Sequence, residues 1–396
     1  MSRFLFVVPP LAGHVNPAVA VGAALAARGH DVAWACAENF IRPAVGAEAT
    51  VYRTGIRLYR PQADRGVAAL KSLWAGFIIP FARFTLPAVD QAVTAYRPDV
   101  LVVDQHALAG AVVAQRRGLP WASLATSSLE LAQPFRGLPK VDAWIRGLIA
   151  AFCTEAGLPR DETFDPRFSP HLVLACTTAA LTGAAAIPDQ VALLGPMLAD
   201  RPAGPDFPWD RLDPGRRHVL VTMGTLAADV AQDFHTRAVR ALQPLGDQVQ
   251  AVVAASSEAL PDLPAHILAA PHVPQLRLMP QLDAVVCHGG LNTVCEALAY
   301  GVPVVVAPIR HDQPITAAQV AAAGAGIRVR FARVRAEQLR AAIMAVLDDP
   351  AYRRAAIKVG KSFAAAGGAG AAAERLVRLA PPAAGTAGPP EGAGKC

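Results

Sequence analysis

The stretch from residue 280 to residue 313 constrains the fold more than any other part of the chain. Residues 280–286 carry a short apolar run, and His288-Gly289-Gly290 turns the chain. Asn292-Thr293 then opens a helix that runs to about Tyr300, where Gly301 stops it. Residues 302–308 form a continuous apolar run, the mark of a strand buried on both faces. A strand, a helix and a doubly buried strand in that order belong to a parallel sheet covered by helices.

The same alternation runs through most of the chain. In the N-terminal half, residues 4–8 read as a strand, 17–28 as a helix, and 31–35, 100–103 and 122–124 as further strands; 171–176 begins like another. In the C-terminal half, strands are expected at 218–222, 250–254, 284–286 and 302–307. Between the halves, Pro196, Pro202, Pro205, Pro208 and Pro214 interrupt any regular element, so that segment reads as a linker. The expected organisation is an N-terminal domain at 1–195, a linker at 196–217 and a C-terminal domain at 218–380 whose last helix is able to pack back on the first domain. A disordered tail is expected at 381–396. A length of 396 residues suits two domains.

Composition removes several classes. Only 17% of residues are charged, and the net charge of +6 comes from scattered arginines, so no nucleic-acid partner is expected. None of the six cysteines forms a C-x-x-C pair, which argues for reduced thiols and a cytoplasmic protein. The first apolar run breaks at Pro9-Pro10, too soon for a secretory signal. The apolar patch at 74–81 is eight residues long and the uncharged stretch at 171–188 is rich in Ala, Thr and Gly, so no membrane span is expected. A monomer or homodimer is expected.

The turn at 288–293 also has a chemical reading. Glycines let a phosphate approach the backbone, and free N–H groups at a helix start attract anions. His288 adds a donor, Asn292 and Thr293 add an amide and a hydroxyl, and Glu296 stands one turn on, placed to accept from ribose hydroxyls. A plain strand-turn-helix explains any one of these residues; the whole set in order points to a diphosphate site.

From His272-Val273-Pro274-Gln275 to Asp312-Gln313 the chain resembles the nucleotide-sugar signature of the family 1 glycosyltransferases. The resemblance implies an α/β protein of GT-B architecture, with two Rossmann-like, doubly wound parallel-sheet domains facing across a cleft. It implies that His288, Gly290, Asn292 and Thr293 hold the diphosphate, Glu296 the ribose, and Asp312 and Gln313 the sugar hydroxyls, with Val273 and Gln275 bordering the base. His272 stands where many plant members carry a tryptophan, which leaves UDP and dTDP both open. Gly224-Thr225 resemble the family's second phosphate-side turn, although a plain strand-turn explains them equally. The run His288-Gly289-Gly290-Leu291-Asn292-Thr293 is similar to bacterial natural-product and carotenoid glucosyltransferases.

The N-terminal half carries a second pair of residues. In Gly13-His14-Val15-Asn16-Pro17, Asn16 is expected to cap a helix and Pro17 to occupy its first position, which leaves His14 in a loop at the carboxyl end of a strand. Asp104 ends the apolar run at 100–103, either as a cap for the helix at 107–116 or as a functional carboxylate. A neutral imidazole removes a proton from an attacking alcohol, and a carboxylate behind it fixes the tautomer. His14 and Asp104 resemble the family's His-Asp dyad. Direct displacement by an external alcohol inverts the anomeric centre.

The chain contains no Asp-x-Asp, so no metal and no other cofactor is expected; His288 and the helix N-terminus take over stabilisation of the leaving diphosphate. By the resemblance the acceptor binds the N-terminal domain, and Trp74, Phe77, Phe81 and Ser127 are its candidate contacts, with ordinary core packing as the competing reading of the aromatics. The expected function is transfer of a hexose from a UDP- or dTDP-sugar to a hydroxyl of a small lipophilic natural product. A nucleotide-sugar epimerase or hydrolase of the same fold, or a non-catalytic nucleotide-binding helper of another glycosyltransferase, is the alternative.

Overall fold

The computed structural model describes residues 1–59, 66–127, 131, 138–159, 161, 163–183, 187–199, 207–225, 227–260 and 263–381. The expected disordered tail beyond 381 and the middle of the expected linker, 200–206, lie outside the described residues.

The first sheet contains seven strands: β1 (Arg3–Val7), β2 (Asp31–Cys36), β3 (Thr50–Arg53), β4 (Val100–Asp104), β5 (Trp121–Ala125), β6 (Val173–Ala175) and β7 (Val191–Leu193). Their order is β3-β2-β1-β4-β5-β6-β7, and these neighbours all pair in parallel. The second sheet contains β8 (Arg217–Thr222), β9 (Val249–Ala254), β10 (Ile267–Ala270), β11 (Ala284–Cys287), β12 (Val304–Val306) and β13 (Gly326–Arg328). Its order is β10-β9-β8-β11-β12-β13, again parallel throughout. Central strands such as β1 and β4 are buried along almost their whole length, as a sheet covered on both faces requires.

Both sheets reverse direction of growth at one point, β1/β4 in the first and β8/β11 in the second. A crevice opens at the carboxyl ends of the strands at such a point, and ligands bind there. His14 and Asp104 follow β1 and end β4; Gly224 and His288 follow β8 and β11.

Two expectations need correction. The first helix spans Ala12–Ala26 and is N-capped by Leu11, so His14 lies in its first turn and not in a loop. Asn16 is not the cap, and Pro17 lies inside the helix. A proline there removes only the hydrogen bond to the carbonyl four residues back, that of Gly13, and that carbonyl finds another donor. Secondly, the patch at 74–81 is not a short isolated segment. It lies within a continuous helical stretch, Gly66–Tyr96, with a π-helical section at Trp74–Ile78. By length and composition that stretch is apolar enough to cross a membrane, yet half of its most apolar window is buried inside the fold.

The last helix, Gly368–Leu379, follows a Gly367 in the left-handed region (φ 85°) and packs on the first helix. Ala372, Ala373 and Leu376 are fully buried in one cluster with Phe4, Phe6 and Trp34 of the first sheet, so this helix packs back on the first domain.

Candidate active site

The dyad is assembled by the two central strands of the first sheet. Asp104 is 1% exposed at the end of β4. His14 Nδ1 lies 2.9 and 2.8 Å from its two carboxylate oxygens. A carboxylate only accepts, so Nδ1 carries the proton and Nε2 is left as the basic nitrogen. The backbone N–H of His106 donates to Asp104 Oδ1 (2.9 Å), so the carboxylate also serves the local turn that the sequence suggested.

Thr126, beyond β5, completes the arrangement. Its hydroxyl donates to Asp104 Oδ2 (3.0 Å), and its Oγ1 lies 2.8 Å from His14 Nδ1. In the sequence Thr126 is the first of three hydroxyl residues, Thr126-Ser127-Ser128, and only the neighbouring of β4 and β5 brings it to the dyad. His106 packs its ring 4.8 Å from that of His14, and its buried Nδ1 has no partner among the described residues.

Electrostatics separate these groups. Burial works against a charged His14, but the Asp104 charge and hydrogen bond, and more weakly Asp312, outweigh it and raise its pKa above the ordinary histidine value. Burial opposes the Asp104 charge too, yet His14 and the His106 N–H hold it below the usual carboxylate range. His106, driven by burial and then by the nearby His14, falls to about 3 and stays neutral. Among the described residues, His14, Asp104 and His106 bring three potential metal-ligating atoms within 4.8 Å of one another. Two of these residues already hydrogen-bond each other.

The facing site is built from glycines. Gly224 adopts φ 72°, and a Cβ there would lie 2.6 Å from His288 Cε1; a Cβ at Gly290 would lie 2.6 Å from His288 Nε2. The imidazole thus fills the space that both residues leave by lacking side chains. Burial, and then the charge of Arg310, lower its pKa to about 4, so it is neutral near pH 7. Its Nδ1 is buried with no partner among the described residues. The following helix, Leu291–Ala299, starts at Gly290 without a side-chain cap, so its first N–H groups are open to an anion.

The remaining donor-side candidates fall around this turn. Gln275 Nε2 donates to Glu296, which is 2% exposed, and lies 3.5 Å from Thr293 Oγ1. Val273 is half-buried beside them, and Thr225 is exposed next to Gly224. Gln313 is turned inward: its side-chain oxygen accepts from the N–H groups of Ile309 and Arg310, both at 2.9 Å, and it shapes the loop that presents Asp312. His311 in that loop holds a left-handed backbone (φ 56°).

Among the described residues several hydrogen bonds cross from this side to the first domain, one of them from Cys295 Sγ to the Cys176 carbonyl. The Ser127 hydroxyl donates to Asp312 Oδ2 (3.1 Å), the Tyr59 hydroxyl lies 2.9 Å from His311 Nε2, and Asn292 Nδ2 donates to the Gly13 carbonyl. Burial raises the Asp312 pKa against the effect of the Ser127 hydrogen bond. Asn292, expected at the diphosphate, is therefore bonded to the helix that carries His14.

The aromatic acceptor candidates are corrected by packing. Trp74, Phe77 and Phe81 are 0%, 1% and 2% exposed, inside one core cluster with Leu11, Tyr59 and Ala107. Their spacing places them on the buried face of a helix. Of these three, Phe77 alone also borders a cavity of about 520 Å³, lined further by Ile56, Arg57, Leu58, Tyr59, Ser72 and Gly76. Ile56 and Leu58 are the exposed apolar residues there, and the sequence did not single them out.

Comparison with known proteins places these features. Residues 240–379 match the family model described as erythromycin biosynthesis protein CIII-like, C-terminal domain. The chain is 31% identical to 4'-demethylrebeccamycin synthase of Lentzea aerocolonigenes, over 92% of this chain and 96% of that protein. The glycotransferase of kitacinnamycin superposes with a TM-score of 0.79 at 25% identity, covering 96% of this chain and 99% of that one. The spinosyn rhamnosyltransferase SpnG complexed with thymidine diphosphate superposes with a TM-score of 0.73 at 27% identity, covering 95% and 100%.

Proposed function

This chain belongs to the family 1 GT-B natural-product glycosyltransferases, and from that premise we propose that it moves a hexose from a dTDP- or UDP-sugar to a hydroxyl of a small lipophilic natural product, with inversion and without a metal. The observation that carries this reading is the facing of two crevices. A His-Asp pair stands at the β1/β4 reversal, and a glycine-walled neutral imidazole with an open helix N-terminus stands at the β8/β11 reversal.

In this reading His14 Nε2 accepts the proton of the acceptor hydroxyl as its oxygen attacks the anomeric carbon. Asp104 and Thr126 hold the ring and stabilise the imidazolium that forms. The leaving diphosphate sits against His288 and the N–H groups of the donor helix, and these replace the charge a metal would supply. Glu296 with Gln275 takes the nucleoside side, and Asp312 reaches the sugar. The acceptor enters by the cavity beside Tyr59 and Phe77, where Ile56 and Leu58 offer apolar contact and Arg57, Tyr59 and Ser72 offer polar groups to an acceptor's hydroxyls. The thymidine diphosphate bound to SpnG, one of the compared structures, supports dTDP as the first base to test.

A base directed at an external hydroxyl separates this reading from a donor epimerase or hydrolase and from a non-catalytic helper. The test is His14→Ala assayed for acceptor-dependent turnover, alongside thermal shift with UDP, dTDP, GDP and ADP. Loss of turnover with nucleotide-induced stabilisation retained supports the assignment; unchanged turnover refutes the base.

A further inference from the structure

In an α-helix each carbonyl accepts from the N–H four residues on. Pro17 has no N–H, so the Gly13 carbonyl lacks its helical partner, in the same turn that carries His14. That carbonyl is taken by Asn292 Nδ2, 279 residues away, from the second position of the donor helix. A Cβ on Gly13 would meet Asn292 Nδ2 at 3.5 Å, an ordinary contact, so the exposed carbonyl and not the small size of Gly13 defines this junction.

We infer that Asn292 is a positioning residue for His14, and that Pro17 creates the acceptor it uses. Donor helix and base helix are tied at their first turns, the turns that face the diphosphate and the attacking hydroxyl. The tie sets the distance between base and donor more directly than Ser127–Asp312 or Tyr59–His311, which join loops to loops. This inference rests on His14 being the base.

The tie is solvent-accessible, so water can satisfy Gly13 when the amide is removed, and what is lost is alignment. Pro17→Ala supplies an N–H to Gly13 from inside the helix and competes with Asn292. Alanine is the best helix former, so this variant keeps the proposal testable even if Asn292→Ala does not fold.

The experiment measures kcat at saturating substrates, and the Kd of the nucleoside diphosphate by calorimetry, for N292A, P17A and the double variant of the full chain. The expected result is a kcat fall of roughly fivefold in N292A, a smaller fall in P17A, no further fall in the double variant, and nucleotide Kd unchanged within about twofold throughout. A Kd raised about tenfold in N292A at unchanged kcat, or a P17A variant without effect, overturns the inference and leaves Asn292 as a donor ligand. His14→Ala run in parallel keeps the two readings apart: wild-type turnover there removes the base assignment, whereas an inactive H14A beside a silent P17A removes only the tie.

Discussion

His14 and His288 stand on opposite strands of the matching reversal points in the two domains: His14 lies past β1, the counterpart of β8, and His288 past β11, the counterpart of β4. Burial pushes both toward the neutral form. Their net shifts are opposite, because His14 meets a carboxylate and a hydroxyl, whereas His288 meets two glycines and the charge of Arg310. The two reversal points therefore carry a base strengthened by an acid partner in one domain and a neutral donor in the other. Burial sets the baseline, and the partner decides the sign.

The sharpest way to break the comparison is to remove the base. His14→Ala is expected to lower kcat by about 10²–10⁴-fold, measured as initial rates over an acceptor panel, with nucleotide affinity retained. Asp104→Asn is expected to cost roughly a hundredfold, and it also moves a titration. Without the carboxylate, burial is opposed only by the weaker pull of Asp312, so the His14 pKa is expected to fall, toward the side of His288. The sign follows in the rate profile. The wild-type base is lost by protonation as pH falls through a value above 6.5, and in the variant that acid limb moves to lower pH.

On the other side, Gly224→Ala or Gly290→Ala pushes a methyl group into the imidazole at 2.6 Å. The expected cost is about 1–3 kcal/mol in thermal or denaturant unfolding and a donor KM raised roughly tenfold, with the His14 acid limb unmoved. Thr126→Val keeps shape and removes one hydroxyl from the dyad, for a kcat loss of roughly fivefold.

How much of this was legible in the sequence follows from where each residue sits. Apolar runs located nine strands, and the four they did not locate, β3, β7, β10 and β13, are the four edges of the two sheets. An edge strand is covered on fewer sides, and segments such as Thr-Val-Tyr-Arg and Gly-Ile-Arg carry no continuous apolar run. Motif order brought Gly224, His288, Glu296 and Asp312 to one side, and His14 and Asp104 to the other. The start of the first helix was misplaced because Pro17 reads as a first-turn residue until its orphaned carbonyl is seen to be served from the other domain. The Thr126-Ser127-Ser128 run reads as a pocket wall but gives no sign that Thr126 serves the dyad, and Ile56 and Leu58 carry no local signal, because what makes these residues matter is a neighbour distant in sequence. Trp74 and Phe81 show the reverse error, since apolar residues at helical spacing look alike whether they face a ligand or a core.

The most direct test of the account is the titration of the imidazoles themselves, read from nitrogen-detected histidine NMR between about pH 3 and about pH 9, with His14→Gln and His288→Gln used for assignment. One ring, His14, is expected to titrate above 6.5 and to fall in Asp104→Asn, and a second, His288, to titrate at about 4 in both proteins. If His14 titrates below 6.5 in the wild type, or does not respond to loss of Asp104, the dyad is not the strengthened base described here.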